Sequence, residues 1–523
     1  MLFITRAIKL LFSCLTCHCI LLISTAAAPA KRIDPAGISG ALVLAGGGLP
    51  DAAIDRFNEL AGGSKMHVLV LCFDESKFTR DLAKRIVQRS KAFSVTSMAV
   101  TENKSAAVIS AVDIATGVWL LAQDSASIRD GVSSPGMYAS ISALMKRGGV
   151  VGGHGAGCPA FADDSLALLP GSVISAANGD KEGGVRINEI LQKKPYLVGY
   201  GIDEMAALVV NGRRITVAGT GGAVISLAPA GERKLRIIKL KGGDAVADLS
   251  ASRFAALARS RDPFPVAKPP SPRLAAGTLM IIGGGGMPRG IVSQFVEKAG
   301  GDDASIVVLP TAMPDPIPAN SSIADAFRRA GAGKVTVLAG RRLDQVESEK
   351  YLAVFREATG IWFGGGRQWR FADAYLDTRA QTLMHKVLAR GGVIMGSSAG
   401  ASIQADYLAR ANPLGNRDIV AEGYERGLGF IKGVAIDQHF AERKRFKDMS
   451  LLVTRYPQLL GIGIDEGTAL IVEGEIGSVS GKGSVHFYNR RKPLIEGSPD
   501  YESVHEGGRY HLVRRSILNF EKP

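Results

Sequence analysis

Long apolar runs are missing after the first thirty residues. A membrane-spanning helix needs about 20 consecutive apolar residues, and no later stretch of the chain approaches that. A span in the body of the protein is therefore excluded, and a soluble mature form is expected. Cysteine is scarce as well. Three of the five (Cys14, Cys17 and Cys19) fall near the N-terminus, none in a clear lipobox, which argues against a lipid anchor. Only Cys72 and Cys158 remain, so one disulfide at most can form and a stapled framework is excluded. Clustered positive charge is also lacking. The formal charge is +14, yet the basic residues are scattered and often stand beside acids, as Lys181 beside Glu182 and Arg443 beside Glu442. That pattern describes a generally basic soluble surface and argues against nucleic acid or a membrane surface as partner. Glycine is abundant, at 63 residues, but without a short repeat. This favours many tight strand-to-helix turns over disorder.

What is present begins with a leader. Arg6 and Lys9 precede an apolar run from Leu10 to Ile23, and small residues follow from Ser24 to Ala30. That order is the plan of a secretory signal peptide. Ala26-Ala27-Ala28 and Ala28-Pro29-Ala30 both have the spacing for cleavage, and roughly 14 apolar residues are short for an uncleaved anchor. A signal peptide over 1–30 is expected, with export to a periplasm or beyond the cell.

A chain of 523 residues predicts two or three domains, and here the body of the protein repeats itself. Gly40-Ala-Leu-Val-Leu-Ala-Gly-Gly-Gly recurs as Gly277-Thr-Leu-Met-Ile-Ile-Gly-Gly-Gly, and Val68-Leu-Val-Leu as Ile306-Val-Val-Leu. Gly117-Val-Trp-Leu matches Gly360-Ile-Trp-Phe, and Lys146-Arg-Gly-Gly-Val-Val-Gly-Gly matches Ala389-Arg-Gly-Gly-Val-Ile-Met-Gly. Gly199-Tyr-Gly-Ile-Asp-Glu matches Gly461-Ile-Gly-Ile-Asp-Glu. Landmarks in the same order read as two copies of one unit, over 36–258 and 277–523. Between them, 259–276 holds Pro263, Pro265, Pro269, Pro270 and Pro272, the composition of an extended, stiff linker. Short apolar runs ending in glycine alternate with helical patterns such as Ala380-Gln-Thr-Leu-Met-His-Lys-Val-Leu. The expected fold is α/β: two tandem α/β units, each a mainly parallel sheet flanked by helices, with a β-rich tail.

Chemistry concentrates in the second copy. Val393-Ile-Met runs straight into Gly396-Ser397-Ser398-Ala399-Gly400, with a helix-competent segment from Ala401 to Leu408 behind it. A serine at a strand–turn–helix junction is pushed out on a sharp bend, and small neighbours leave room for that strained backbone. The Ala399 N–H then points at a developing oxyanion. Serine needs a base. Of the histidines in this copy, His385 reads as an exposed helix residue, and His486, His505 and His511 lie in the β-rich tail. His439, by contrast, ends an apolar run in Ile436-Asp-Gln-His-Phe, where side chains at the carboxyl edge of a parallel sheet face a site. An acid must hold the imidazole, and Asp465 and Glu466 in Gly463-Ile-Asp-Glu-Gly-Thr-Ala both qualify.

The series Gly-Gly-Gly, Gly-Gly-x-Gln, Gly-Ser-Ser-Ala-Gly-Ala, Asp-Gln-His-Phe-x-x-Arg-x-Arg and Gly-Ile-Asp-Glu-x-Thr-Ala resembles the cyanophycinases, of the serine peptidase group that includes aspartyl dipeptidase. The resemblance covers about 277–490. It implies Ser398 as nucleophile, His439 as general base and Glu466 as the acid. It also implies an oxyanion hole from Ala399 and the Gly364–Gly366 loop (Gly365 or Gly366). Gln368, Asp437, Gln438, Arg443 and Arg445 would fall on the substrate side. The residue before the glutamine is commonly Asn or Asp in the family and is Arg367 here, which alters that subsite. The family reaction is hydrolysis of cyanophycin, a poly-aspartate backbone bearing arginine on each side chain, to β-aspartyl-arginine dipeptides, without metal or organic cofactor. Related exopeptidases acting on aspartyl or isoaspartyl peptides are the nearest alternative, and a non-catalytic peptide-binding protein is one of another class. A glutamine-amidotransferase-like enzyme would need cysteine at the elbow.

The first copy reads as inactive. Aligned on the shared landmarks, Gly155 stands opposite Ser398, Ala177 opposite His439 and Ser125 opposite Gln368. His154 and Cys158 flank the empty elbow, but Cys158 lies too far along to replace the nucleophile. This copy is expected to pack on the second as a built-in partner.

Overall fold

A computed structural model of the chain describes residues 36–518 apart from 91–93, 101–104, 163–164, 177–180, 244–245 and 319–320. The expected signal peptide over 1–30 lies outside the described residues. The described residues form one compact unit.

Each half builds a large mixed sheet. In the C-terminal half the order is Lys334–Val337, Ser305–Leu309, Gly360–Phe363, Val393–Ser397, Thr278–Ile282, Thr468–Glu473, Ile476–Gly481, Arg509–His511 and Ser516–Leu518. The first five strands are mutually parallel and the rest antiparallel. The N-terminal half follows the same course: Ser94–Ala99, His67–Cys72, Gly117–Leu121, Val150–His154, Ala41–Ala45, Ala206–Asn211, Arg214–Gly219 and Ala247–Asp248. The β-rich tail is divided between the antiparallel wing of the large sheet and a second, smaller sheet. Burial explains the division into parallel strands and wing. Parallel strands such as Thr278–Ile282 are buried throughout and apolar after the threonine, with Leu279 and Ile281 in one core cluster and Met280 and Ile282 in another on the opposite face. Wing strands such as Ile476–Gly481 alternate between buried and partly exposed residues, as a sheet with one solvated face requires.

A smaller sheet accompanies each large one. In the C-terminal half it runs Ala405–Leu408, Ile431–Gln438, Leu460–Ile464, Val485–Asn489 and Glu502–Val504; in the N-terminal half it has four strands, Ser172–Ser175, Val198–Ile202, Gly222–Leu227 and Arg236–Lys241. The proline-rich segment lies along the C-terminal half. Phe264 stacks on Tyr407 with ring centroids 6.2 Å apart, and the Leu274 N–H donates to the Gly474 carbonyl at 2.8 Å. Ala251 and Phe254, on the helix Leu249–Arg259, pack against the core of the C-terminal half. Cys72 and Cys158 are both buried and free. Among the described residues, no helix is long and apolar enough to cross a membrane.

Candidate active site

The strand Val393–Ser397 lies between Thr278–Ile282 and Gly360–Phe363 and ends at Ser398, whose backbone is left-handed (φ 57°). Glycines make the bend possible. An added Cβ at Gly396 would lie 2.2 Å from the Gly400 carbonyl oxygen, and one at Gly400 would lie 2.0 Å from that of Phe363. Beyond the bend the expected helix from Ala401 to Leu408 is not formed. A single helical turn, Ala399–Ser402, gives way to the strand Ala405–Leu408. That strand is buried along its whole length and pairs with Ile431–Gln438, so sheet pairing overrides local helix preference.

His439 comes from the other sheet. It follows the strand Ile431–Gln438, which runs parallel to Leu460–Ile464, and Glu466 follows the latter. The site is therefore assembled at the carboxyl ends of two sheets, not along one edge as the sequence order suggests. Ser398 Oγ lies 2.9 Å from His439 Nε2, and His439 Nδ1 lies 2.5 Å from Glu466 Oε1. The choice between the two acids is thereby made. Asp465 instead faces His486 Nε2 at 3.2 Å and accepts the N–H groups of Ala441 and Ser484, each at 3.0 Å. Burial pushes the His439 imidazole below its ordinary value; the Glu466 carboxylate works to raise it, and the charge of Arg443 adds to the lowering. A neutral ring at neutral pH leaves one nitrogen free to accept a proton.

The opening glycines have a part that the repeat pattern alone did not reveal. Ser398 N–H donates to the Ile282 carbonyl (3.0 Å), His439 N–H to that of Gly283 (2.8 Å) and Gly467 N–H to that of Gly284 (2.7 Å). An added Cβ at Gly284 would lie 2.3 Å from Cε1 of His439, and one at Gly285 would lie 2.2 Å from a Glu466 oxygen. This turn is the floor on which all three side chains stand. The expected oxyanion loop is also close to the serine, since a Cβ at Gly365 would lie 3.6 Å from that of Ser398. At Gly366 (φ 134°) a Cβ would lie 2.2 Å from the Ala312 carbonyl oxygen, and Ala399 is buried in the turn.

The substrate-side residues separate into two groups. Asp437 is fully buried, with one oxygen on Arg410 (2.8 Å) and the other on Arg445 (2.7 Å). Arg445 is itself buried, and the Gln368 amide nitrogen donates to the carbonyls of Ala409 and Arg410 at 2.8 and 2.9 Å. All three, expected at the substrate, are anchored within the protein: both Asp437 oxygens, Arg445 Nη1 and the Gln368 amide nitrogen are engaged there. Gln438 and Arg443 remain open to a ligand. The Gln438 amide oxygen is buried without a hydrogen-bond partner among the described residues, and the Arg443 side chain is exposed. His385 is a lesser correction: half-buried rather than exposed, with Nε2 on the Leu428 carbonyl at 2.8 Å.

In the N-terminal half, Val150–His154 pairs with Ala41–Ala45 in the register that Val393–Ser397 keeps with Thr278–Ile282. Gly155, next in line, is left-handed like Ser398 (φ 51°). His154 turns inward, its Nε2 2.9 Å from the Gly47 carbonyl. Cys158 is buried against the Ala45 carbonyl with its thiol pushed up by burial, an inert environment for a nucleophile. Ser125 opens the helix Ser125–Val132, and Ala177 lies outside the described residues.

The profile of peptidase family S51 matches residues 279–479. A cyanophycinase of Trichormus variabilis is 30% identical over 271 residues, covering 47% of this chain and 90% of the relative. The chain belongs to peptidase family S51. A cyanophycinase of Synechococcus elongatus is 35% identical over 225 residues, covering 41% of this chain and 69% of its own. Among solved structures, a peptidase from an acI-B1 actinobacterium matches 45% of this chain and 97% of its own length, at 20% identity and a TM-score of 0.35. The S51 match takes in Ser398, His439 and Glu466.

Proposed function

We propose that this peptidase is an exported serine exopeptidase that hydrolyses cyanophycin to β-aspartyl-arginine dipeptides through an acyl-enzyme. The observation that carries the reading is the unbroken contact from Ser398 through His439 to Glu466. Ser398 Oγ attacks the main-chain carbonyl carbon while His439 Nε2 takes its proton. Glu466 at Nδ1 fixes the tautomer and supports the imidazolium. The carbonyl oxygen, now negative, is received by the N–H groups of Ala399 and of Gly365 or Gly366. The imidazolium gives its proton to the leaving amine, and water, activated by the same ring, releases the acyl group and restores the serine. The relatives' description as cyanophycinases supports the substrate, and the leader supports export.

The N-terminal half is read as a degenerate copy of the same unit that serves as a built-in partner. Shared strand order and the left-handed glycine at 155 support this reading. The deciding assay supplies purified cyanophycin, and aspartyl and isoaspartyl dipeptides in parallel, to the wild type and to Ser398→Ala. Release of β-aspartyl-arginine by the wild type alone is the expected result. Cleavage of the simple dipeptides with cyanophycin left intact would overturn the substrate, and undiminished hydrolysis by Ser398→Ala would overturn the mechanism.

A further inference from the structure

Residues 409–428, between the strands Ala405–Leu408 and Ile431–Gln438, touch both the active site and the N-terminal half. The start of this segment reaches the catalytic turn. Arg410 is 2% exposed and left-handed (φ 56°). Its Nε donates to Asp437 Oδ2 at 2.8 Å, and its Nη2 pairs with Asp448. Asp437 Oδ1 accepts from Arg445 (2.7 Å) and from the Gln438 N–H (3.0 Å), while Arg445 also donates to the Gln438 carbonyl (2.6 Å). The next residue is His439, in a left-handed conformation (φ 50°). For a side chain of that size such a conformation costs of order 1 kcal/mol and persists only where its surroundings enforce it. Gln368 and Arg367 hold the segment from the other side. Arg367 Nη2 donates to the carbonyls of Asn412 and Gly415, both at 2.7 Å.

The far end is held by the N-terminal half, whose last helix runs on through Arg259, one residue past the expected boundary. Glu422 receives Arg259 Nε at 2.7 Å, Arg236 Nη1 at 2.9 Å and Arg233 Nη1 at 3.3 Å, and Arg233 also meets Glu425 at 3.1 Å. Gly423 comes so close to the helix Leu249–Arg259 that an added Cβ would lie 2.4 Å from the Ala255 nitrogen. The Tyr424 hydroxyl donates to Asp373 (2.7 Å) and accepts from Arg213 (3.1 Å). Arg213 also pairs with Asp373 and stacks 4.3 Å over Trp369, the residue after Gln368.

We propose that 409–428 is a strap through which the N-terminal half sets the catalytic geometry, with Arg213, Arg233, Arg236 and Arg259 as positioning residues for His439. The inference rests on the reading of Ser398, His439 and Glu466 as the catalytic unit. Freeing the far end lets Arg410 withdraw from Asp437, and the turn that carries the imidazole loses one of its two cationic supports. A reacting group misplaced by about 1 Å loses up to roughly a hundredfold in rate.

The test uses the full chain, with dipeptide release from cyanophycin and the labelling rate of Ser398 by an organophosphonate as separate readouts. For Glu422→Gln, with native circular dichroism, kcat is expected to fall about tenfold with KM within about twofold, and labelling to slow in parallel. Glu422→Asp should recover most of the loss. Arg236→Ala, whose side chain is half exposed and so tolerates truncation, should show a smaller fall of the same kind and decides the matter if Glu422→Gln does not fold. Folded variants with wild-type kcat and labelling would overturn the strap, as would a rise in KM at constant kcat, which would mark a substrate contact instead. Undiminished hydrolysis by Ser398→Ala is a different failure, that of the catalytic reading itself.

Discussion

At the scale of single residues, the site depends on backbone conformations that most side chains avoid. Ser398 and His439 are both left-handed, and the floor between them is made of glycines with positive φ. Gly284→Ala therefore adds a methyl group within 2.3 Å of the imidazole. We expect kcat to fall roughly a hundredfold with the fold retained, measured by dipeptide release and thermal unfolding. The imidazole also sets a pH dependence. Its protonated form is disfavoured chiefly by burial, so the active neutral ring persists below the ordinary histidine range and is lost only as pH falls through the lowered value. The acid limb of kcat/KM should accordingly lie below pH 6.5, the unperturbed value. Removing the Arg443 charge takes away one lowering influence, so Arg443→Gln should move that limb to higher pH; an unmoved limb would show that the guanidinium does not act on the ring. Much of this site was legible in the amino-acid sequence, because Ser398 and His439 each stand at the end of an apolar run. The roles of Gly284 and Gly285 were not, since nothing in a glycine's identity says which side chain needs the space it leaves empty. The bracing contacts of Asp437, Gln368 and Arg445 were hidden for the converse reason: a polar residue beside a catalytic one serves equally to bind a ligand or to brace the turn, and the identity of the residue does not name its partners in space.

At the scale of elements, the elbow is a crossing of chains packed to contact. Gly400 lets the turn after Ser398 rest on the strand Gly360–Phe363, with no room for a methyl group between. Gly400→Ala is expected to destabilise the protein by about 3 kcal/mol, measured by denaturant unfolding. Loss of activity should accompany it, since Ala399 and the Gly364–Gly366 loop meet at this crossing. A variant with wild-type stability would show that the elbow can relax without cost. The strand Ala405–Leu408 shows the limit of local reading. Ala-Asp-Tyr-Leu suits a helix or a strand, and the decision comes from Ile431–Gln438, more than twenty residues later, which offers it a sheet edge. The same distance in sequence hid the second sheet: apolar runs predict strands, but not which strands pair.

At the scale of the molecule, the two halves share a strand order while the charged groups between them do not repeat. Guanidinium groups come from the N-terminal half (Arg213, Arg233, Arg236, Arg259) and carboxylates from the C-terminal half (Asp373, Glu422, Glu425). Repeat landmarks could place the halves in sequence but could not show this division of charge, because it belongs to residues that differ between them. The expected consequence is that the C-terminal half is incomplete alone. Expressed as 277–523, it would leave Asp373, which is 1% exposed, without Arg213, and Glu422 without any of its three arginines. An uncompensated buried charge costs about 3–5 kcal/mol, which for a domain of this size lowers the melting temperature by roughly 10 °C. Phe254 would also be stripped from Tyr424, whose ring it meets edge-on at 5.3 Å, leaving an apolar surface prone to self-association. The fragment is thus expected to melt earlier than the full chain, to associate in analytical ultracentrifugation and to release dipeptide more slowly at equal concentration of labelled Ser398. A fragment that stays monomeric, melts with the full chain and matches its kcat would show that the N-terminal half contributes neither to stability nor to the geometry of the site.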